Sequence, residues 1–260
     1  MINEGRPAKT GGPQALQAIK TLGRRHLPFL HPVWMLVKRT VFRLRFRSTE
    51  ARFDAIFRGN HWRNTESVSG FGSSMEATEG ARVAVAEMAA RYSIGSLLDV
   101  PSGDFNWMRH VDFRGSYCGA DIVRELVAMN QQRYGNDRRR FVVLDVIHDP
   151  LPRSDLILCR DCLNHLSLDE AVRALANIRA SGSPYVALTH YPTIRVNRSQ
   201  KSGFDYTPLN LERAPFNWPR PLAIWEETGE PGKTLALWRI GEGTMHNAQI
   251  DPNAPNGSSS

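Results

Sequence analysis

Residues 96–108 read SLLDVPSGDFNWM, an aliphatic run that leads into a polar turn. Residues 96–100 have the composition of a short buried strand, and residues 101–107, with a proline and a glycine, have that of a turn. An acidic residue, Asp99, lies near the end of the run. The stretch therefore predicts the first strand of a sheet and the loop that leaves it.

The remainder of the chain repeats this alternation of short apolar runs and helical stretches. Predicted strands cover 96–100, 115–121, 140–145, 155–159 and 184–189, and predicted helices cover 50–60, 81–92, 123–134 and 168–181, with Ser73 or Ser74 as the cap of the second helix. Strands separated by helices imply right-handed crossovers and parallel pairing. Runs 222–225 and 235–240 lie too close together for a helical crossover, so we expect an antiparallel hairpin.

The predicted fold class is therefore α/β: a Rossmann-like, seven-stranded, mostly parallel sheet with an antiparallel C-terminal hairpin, helices on both faces, and a basic N-terminal helical arm. A chain of 260 residues with 41% apolar content can build a substantial core, which excludes disorder throughout, collagen and coiled coil. Three cysteines cannot form a disulfide framework, and the first residues show no secretory pattern. We therefore expect a cytoplasmic protein.

Positive charge is concentrated at the N-terminus. Residues 1–63 hold 13 lysines and arginines and 3 acidic residues, whereas the whole chain has a net charge of only +7. We interpret 1–48 as a flexible tail and basic amphipathic arm, 49–240 as the globular domain and 241–260 as a disordered tail. Within the arm, residues 24–47 suit either packing on the protein itself or a partner subunit, or peripheral contact with an anionic inner membrane; nucleic acid is the less favoured partner.

Three acidic residues mark the ends of successive predicted strands. Asp99, Asp121 and Asp145 are separated by 22 and 24 residues, about one strand–helix unit each. Parallel sheets bind ligands outside the carboxyl ends of their strands, so these carboxylates are expected to converge on one crevice. An acid after the second strand suits ribose hydroxyls, and one after the third suits the adenine amine. The pattern predicts a nucleoside site.

The first turn indicates which nucleoside cofactor fits. Dinucleotide sites need a glycine-rich turn that lets the backbone approach a pyrophosphate. Here Pro101 takes the first glycine position, Asp104 adds negative charge, and Phe105 and Trp107 are bulky. A sulfonium cation suits a carboxylate and aromatic faces better than a pyrophosphate does. This favours S-adenosyl-L-methionine over NAD, and with it methyl transfer over an oxidoreductase.

Several segments together resemble class I S-adenosylmethionine-dependent methyltransferases, and most closely a poorly characterised bacterial group of them. The matching segments are 66–78 (ESVSGFGSSMEAT), 96–108 (SLLDVPSGDFNWM), 117–123 (YCGADIV), 155–167 (DLILCRDCLNHLS), 181–192 (SGSPYVALTHYP), 208–221 (PLNLERAPFNWPRP) and 235–240 (LALWRI). The resemblance implies that Asp99 and Gly103 shape the cofactor loop, that Asp121 holds the ribose, and that Asp145 with Val146 flanks the adenine. We place Pro101, Asp104, Trp107, Ile122 and Arg160 at the same cofactor site.

Catalytic candidates follow the fourth predicted strand. Histidine is the side chain best suited to proton transfer near neutral pH, so we favour His165 as general base for a hydroxyl acceptor, with Asp161 as its orienter or a second candidate. A substrate or cofactor loop is expected at Ser69, Gly70, Gly72 and Ser73, and His190, which follows the fifth strand, is expected at the same site. Cys159 and Cys162 lack the further ligands of a zinc site, so no metal is predicted.

The acceptor is the least specified part of the prediction. The long segment 192–221 mixes polar and aromatic residues, which suits a saccharide, and a small-molecule or glycan acceptor is expected. The predicted function is S-adenosylmethionine-dependent methyl transfer to a hydroxyl group. The alternative is a catalytically inactive adaptor of the same fold that binds membrane or RNA through its basic arm. The sequence does not indicate an oligomeric state.

Overall fold

The computed structural model describes residues 46, 48–200, 202–203 and 205–240. The chain divides into two units, 1–47 and Ser48–Ser260, and the account below concerns the second. The predicted basic arm within 24–47 lies, except for Phe46, outside the described residues, as does the predicted tail at 241–260. Among the helices in the described part of the chain, none has the length and apolar character needed to cross a bilayer.

A single sheet of seven strands forms the centre of this unit. The strands are β1 Ser96–Asp99, β2 Ser116–Asp121, β3 Arg139–Val143, β4 Leu156–Cys159, β5 Tyr185–His190, β6 Ala223–Glu226 and β7 Thr234–Arg239. Their order across the sheet is β3-β2-β1-β4-β5-β7-β6. Strands β1 to β5 pair in parallel, and β7 pairs antiparallel with both β5 and β6. The predicted seven-stranded, mostly parallel sheet with its antiparallel C-terminal hairpin is confirmed.

Four α-helices are described, with bounds within two residues of those predicted. They are α1 Thr49–Arg58, α2 Glu79–Arg91, α3 Arg124–Tyr134 and α4 Leu168–Ala180, and short 3-10 turns cover Phe71–Ser73, Met108–His110 and Leu163–His165. The predicted cap of α2 is wrong, because Thr78 occupies the N-cap position. Ser74 instead closes the preceding turn, where its Oγ accepts from the Ala77 N–H at 3.2 Å.

Both faces of the sheet are covered by helices. In β4, Ile157 and Cys159 pack into the cluster that includes Ile178 of α4. Leu156 and Leu158 pack into the opposite cluster, with Met88 of α2. All four β4 side chains are buried, as is usual for parallel strands covered on both faces. Polar side chains of the central strands therefore reach solvent or a ligand only at the strand ends.

The strand order also places a crevice between β1 and β4. The chain runs from β1 outwards through β2 to β3, then crosses back so that β4 lies on the other side of β1. At such a reversal the connections leave the two carboxyl ends in opposite directions and open a cleft between them. The fold thereby fixes where a ligand site is expected.

We expect Leu158→Ala to lower the free energy of unfolding by about 2–5 kcal/mol, because it removes a fully buried side chain from the central strand and leaves a cavity. The matched control is Leu222→Ala, since Leu222 is 54% exposed, and its effect should stay within about 0.5 kcal/mol. Urea unfolding followed by circular dichroism measures both. Equal losses for the two variants would contradict the assignment of β4 to the core.

Candidate cofactor and active site

A cavity of about 580 Å³ opens at the carboxyl ends of β1, β2 and β4. Most of the predicted site residues line it: Ser69, Gly70, Gly72, Ser73, Asp99, Pro101, Gly103, Trp107, Asp121, Ile122, Asp145, Val146, Arg160, Asp161 and His165. Asp104 and His190 are the predicted site residues that do not. The volume is in the range of small-molecule sites.

Asp121 ends β2 and is held by the loop that follows β1. The Gly103 N–H donates to its Oδ2 at 3.1 Å, and the Val123 N–H donates to its Oδ1 at 3.0 Å. Asn130 of α3 donates to the Gly103 carbonyl at 2.7 Å, which fixes the loop from the other side. Gly103 has a φ of +54°, and a Cβ there would collide with the Ser69 hydroxyl. Burial raises the pKa of Asp121 to about 6.

Asp99 is the last residue of β1 and is 2% exposed. The Tyr117 hydroxyl donates to its Oδ2 at 2.7 Å. Burial raises the pKa of Asp99 to about 7, although the Tyr117 hydrogen bond and the Arg160 charge act in the opposite direction. Two neighbouring carboxyls with raised pKa values thus line one cavity. Perturbed carboxyls of this kind in a cleft are typical of functional sites.

Asp145 lies two residues beyond β3, which ends at Val143 rather than at the predicted residue 145. Its Oδ1 accepts from the Ile147 N–H at 2.8 Å, and its Oδ2 lies 2.7 Å from Nδ1 of His148. The carboxylate therefore organises the turn after β3 and lines the cavity from there.

The prediction that Asp104 faces a cofactor cation is wrong. Its Oδ1 accepts from the Ser67 hydroxyl at 3.0 Å and its Oδ2 from the Val68 N–H at 2.9 Å, while its own N–H donates to Ser69. The side chain ties the 66–75 loop to the loop after β1. Phe105, the neighbouring aromatic residue of the turn, is buried in the core, with its ring centroid 5.2 Å from that of Phe141.

Trp107 keeps its predicted place on the cavity wall. The guanidinium carbon of Arg160 lies 5.5 Å from the centroid of its ring, in the geometry of a cation–π contact. The cation in contact with the Trp107 ring is therefore the Arg160 guanidinium of the protein itself.

Ser102 is a site residue that our sequence reasoning missed. The residue lines the cavity, and its Oγ is buried without a hydrogen-bond partner among the described residues. Buried hydroxyls are normally satisfied, so an unpartnered one at a cavity wall is suited to bonding a ligand. Nothing in the sequence distinguishes Ser102 from an ordinary turn serine.

His165 ends the turn after β4, and its ring lines the cavity. Its Nδ1 lies 2.9 Å from the Asp205 carbonyl. Because a carbonyl only accepts, Nδ1 carries the proton in the neutral ring, and Nε2 retains a lone pair. Burial lowers the pKa of His165, although the Asp161 charge works against this effect. At neutral pH the ring is therefore a neutral base.

Asp161 is a carboxylate whose oxygens are already engaged. Lys233 Nζ lies 2.6 Å and Arg160 Nη1 3.1 Å from its Oδ2, and the Tyr206 hydroxyl donates to Oδ1 at 2.9 Å. Burial favours the protonated acid, but Arg160 and Lys233 outweigh it and hold the pKa of Asp161 well below its usual range. The geometry favours a positioning role over that of a proton acceptor.

His190 is correctly predicted at the end of β5 but lies in the core. It is fully buried, its Nδ1 accepts from the Leu211 N–H at 3.2 Å, and its ring packs against Trp238. Side chains alternate along a strand, so the preceding residue points to the opposite face of the sheet. Thr189 accepts from the Asp161 N–H at 2.8 Å. The assignment of His190 to the site is therefore wrong.

The 192–221 segment mostly stabilises itself. Asn197 donates to the Asn210 and Ala214 carbonyls, Asn210 donates to the Pro192 and Ile194 carbonyls, and Trp218 packs against Trp238. Of the polar and aromatic residues that suggested a saccharide, Tyr206 is the one described as lining the cavity. Asn197, Asn210 and Trp218 hold the loop together, so their side chains are not available to bind a sugar.

Cys159 and Cys162 carry free thiols, the first buried and the second half-buried. Within the described ranges, His, Cys, Asp and Glu side chains form no cluster of three or more that suits a metal ion.

Comparison with known proteins identifies the fold. No protein-family model matches the sequence, and no curated protein is detectably similar to it. Among solved structures, one of PigF with SAH (S-adenosylhomocysteine) aligns with 84% of this chain and 72% of its own, at 17% identity and a TM-score of 0.56. The chain has the class I methyltransferase fold.

A second structure of this fold is that of human N-acetylserotonin methyltransferase (ASMT) in complex with SAM. It aligns with 77% of this chain at 16% identity and a TM-score of 0.50, and the chain spans 59% of its length. The assignment of the class I methyltransferase fold therefore rests on superposition and on strand order. The assignment of chemistry depends on the residues of the site.

We expect protonation of Asp99 to stabilise the ligand-free protein at low pH, and this contribution should be lost as pH rises from about 4 to about 7. Its folded-state pKa of about 7 exceeds the ordinary value of 3.8 for an aspartate, so the folded state binds the extra proton between these values and loses that advantage as the proton leaves. Asp99→Asn cannot ionise and should show a smaller decline.

Urea unfolding of wild type and Asp99→Asn at pH 5 and pH 8 measures this difference. Asp137→Asn, an exposed acid outside the cavity, is the matched control. A decline in Asp99→Asn as large as that of wild type would show that the buried carboxyl does not titrate as described.

Proposed function

We propose that this chain is an S-adenosyl-L-methionine-dependent methyltransferase that acts on a hydroxyl of a small-molecule or saccharide acceptor. The proposal rests chiefly on the two buried carboxyls, Asp99 and Asp121, which line one cavity at the strand ends of a class I methyltransferase fold. Structures of the same fold are named for bound SAH and SAM, the product and substrate forms of this cofactor.

The residues of the cavity fit an adenosyl cofactor. Asp121 keeps lone pairs beyond the two backbone bonds it accepts, and these suit ribose hydroxyls. Asp99 is a desolvated carboxyl that a ligand ammonium would stabilise in its charged form. The unpartnered Ser102 hydroxyl and the close approach at Gly103 complete a cradle for a polar ligand. Asp145 and Val146 line the expected adenine end.

The chain's own contribution to methyl transfer is orientation of the reactants, exclusion of water and acceptance of one proton. When bound, the cofactor supplies an electrophilic methyl group on a sulfonium. His165 offers a lone pair at Nε2 to the acceptor's hydroxyl proton, and its tautomer is set by the Asp205 carbonyl. The 66–75 loop, tied down by Asp104, forms the cavity wall that limits access of water.

Asp121→Ala should weaken cofactor binding by about 10–100-fold, because it removes a charged acceptor of hydrogen bonds. Isothermal titration calorimetry with S-adenosylhomocysteine measures the change, and Asp137→Ala at the exposed surface is the control. Unchanged affinity in Asp121→Ala would refute its assignment to the ribose. No heat of binding with wild-type protein would refute the enzyme and favour the adaptor.

His165→Asn should reduce kcat by about 10²–10⁴-fold, the range for loss of a general base, with cofactor affinity unchanged. Since burial lowers the pKa of His165, wild-type activity should be lost on acidification only below about pH 6.5, where the ring becomes protonated. The control is His110→Asn, an exposed histidine. Equal rates in His165→Asn and His110→Asn across this pH range would exclude the base role.

A further inference from the structure

Aromatic side chains enclose the end of the cavity that contains His165. We define the acceptor wall as Phe53, Phe57, Trp62, Phe71 and Tyr206, all of which line the cavity. The centroid of the His165 ring lies 5.5 Å from that of Trp62, 5.1 Å from Tyr206 and 6.5 Å from Phe53. The candidate base is therefore surrounded by flat apolar surfaces.

Most polar side chains around the acceptor wall already have partners within the protein. Thr49 donates its hydroxyl to Glu170, and Thr228 donates its hydroxyl to the Glu76 carbonyl. Tyr206 donates to Asp161.

The buried charges near this wall are paired in the same way. Arg160 is bonded through Nε and Nη2 to Glu227 and through Nη1 to Asp161, and Lys233 is bonded to Asp161. These groups hold each other in place and offer few free donors or acceptors to a ligand.

This distribution of polar groups distinguishes between acceptor classes. A sugar ring carries several hydroxyls, and each would give up hydrogen bonds to water on entering a wall with few free partners, at a cost in binding. A flat aromatic ring has apolar faces that pack on Trp62 and needs a partner only for the hydroxyl that reacts. Nε2 of His165 supplies that partner.

We infer that the acceptor is a small, flat aromatic compound with a hydroxyl group, bound with its ring against Trp62 and its hydroxyl at His165, rather than a saccharide. This inference rests on the proposed function and narrows its acceptor. Phe71 completes the subsite at the rim: its ring is 54% exposed, and its Cε1 would lie 3.6 Å from a Cβ placed at Gly229. The rim is therefore formed by the 66–75 loop and the β6–β7 turn.

The test compares 2-naphthol with methyl α-glucopyranoside by calorimetry, on wild-type protein with and without S-adenosylhomocysteine. We expect 2-naphthol to bind at least about 10-fold more tightly than the glycoside, because only its ring faces pack on the wall without leaving hydroxyls unpaired. Trp62→Leu and Phe71→Ala should each weaken 2-naphthol binding, with the first variant losing about 10-fold or more.

Trp225→Leu is the matched control, because Trp225 lies on β6 outside the cavity lining and its indole N–H is bonded to Glu87. It should leave 2-naphthol affinity unchanged. Retained affinity for S-adenosylhomocysteine in each variant shows that the fold is intact. Phe71→Ala is a second probe of the wall at a half-exposed position, where loss of folding is not expected.

The outcomes separate the two proposals. If S-adenosylhomocysteine binds but the glycoside binds as tightly as 2-naphthol, or if neither variant of the wall changes 2-naphthol affinity, the aromatic assignment is overturned and the enzyme stands. If 2-naphthol binds through Trp62 and S-adenosylhomocysteine does not, the methyltransferase is overturned and the aromatic subsite stands. If neither ligand binds, both are overturned.

Discussion

Placement of ionisable side chains at the buried carboxyl ends of parallel strands is the constraint on which this structure depends. Because helices cover both faces of the sheet, the strand ends are the one place where Asp99, Asp121 and Asp161 can lie beside a cavity. Burial of a carboxylate is costly unless it is paired, hydrogen-bonded or protonated. The loops around the cavity are organised to meet that requirement.

The requirement is met in two different ways at the two ends of the cavity. At the cofactor end, Asp99 and Asp121 have raised pKa values and accept hydrogen bonds only from uncharged donors. A ligand with a positive charge and hydroxyl groups would supply the counter-charge and the further donors that these carboxylates lack. At the acceptor end, Asp161 and Glu227 are neutralised by Arg160 and Lys233 from the chain itself. The cofactor end therefore favours a polar ligand, and the acceptor end favours an apolar one.

Sequence reasoning succeeded where local pattern and strand order along the chain were sufficient. The alternation of apolar runs with helical stretches predicted every strand, and the spacing of acidic residues placed Asp99, Asp121 and Asp145 at one cavity. It failed where the direction of a single side chain mattered. Asp104 turns away to bind the 66–75 loop, His190 faces the core although Thr189 beside it accepts from the Asp161 N–H, and Ser102 gave no signal.

By itself the sequence determined the fold class, the general position of the ligand site and the candidate base, because these follow from periodicity and from the rule that parallel sheets bind at their carboxyl ends. Only the tertiary structure decided which polar groups are free. Whether a carboxylate, hydroxyl or imidazole can serve a ligand depends on partners far away in sequence, such as Ser67 for Asp104, Glu227 for Arg160 and Asp205 for His165. Those pairings form only when separate loops meet in the folded structure, so the local sequence does not predict them.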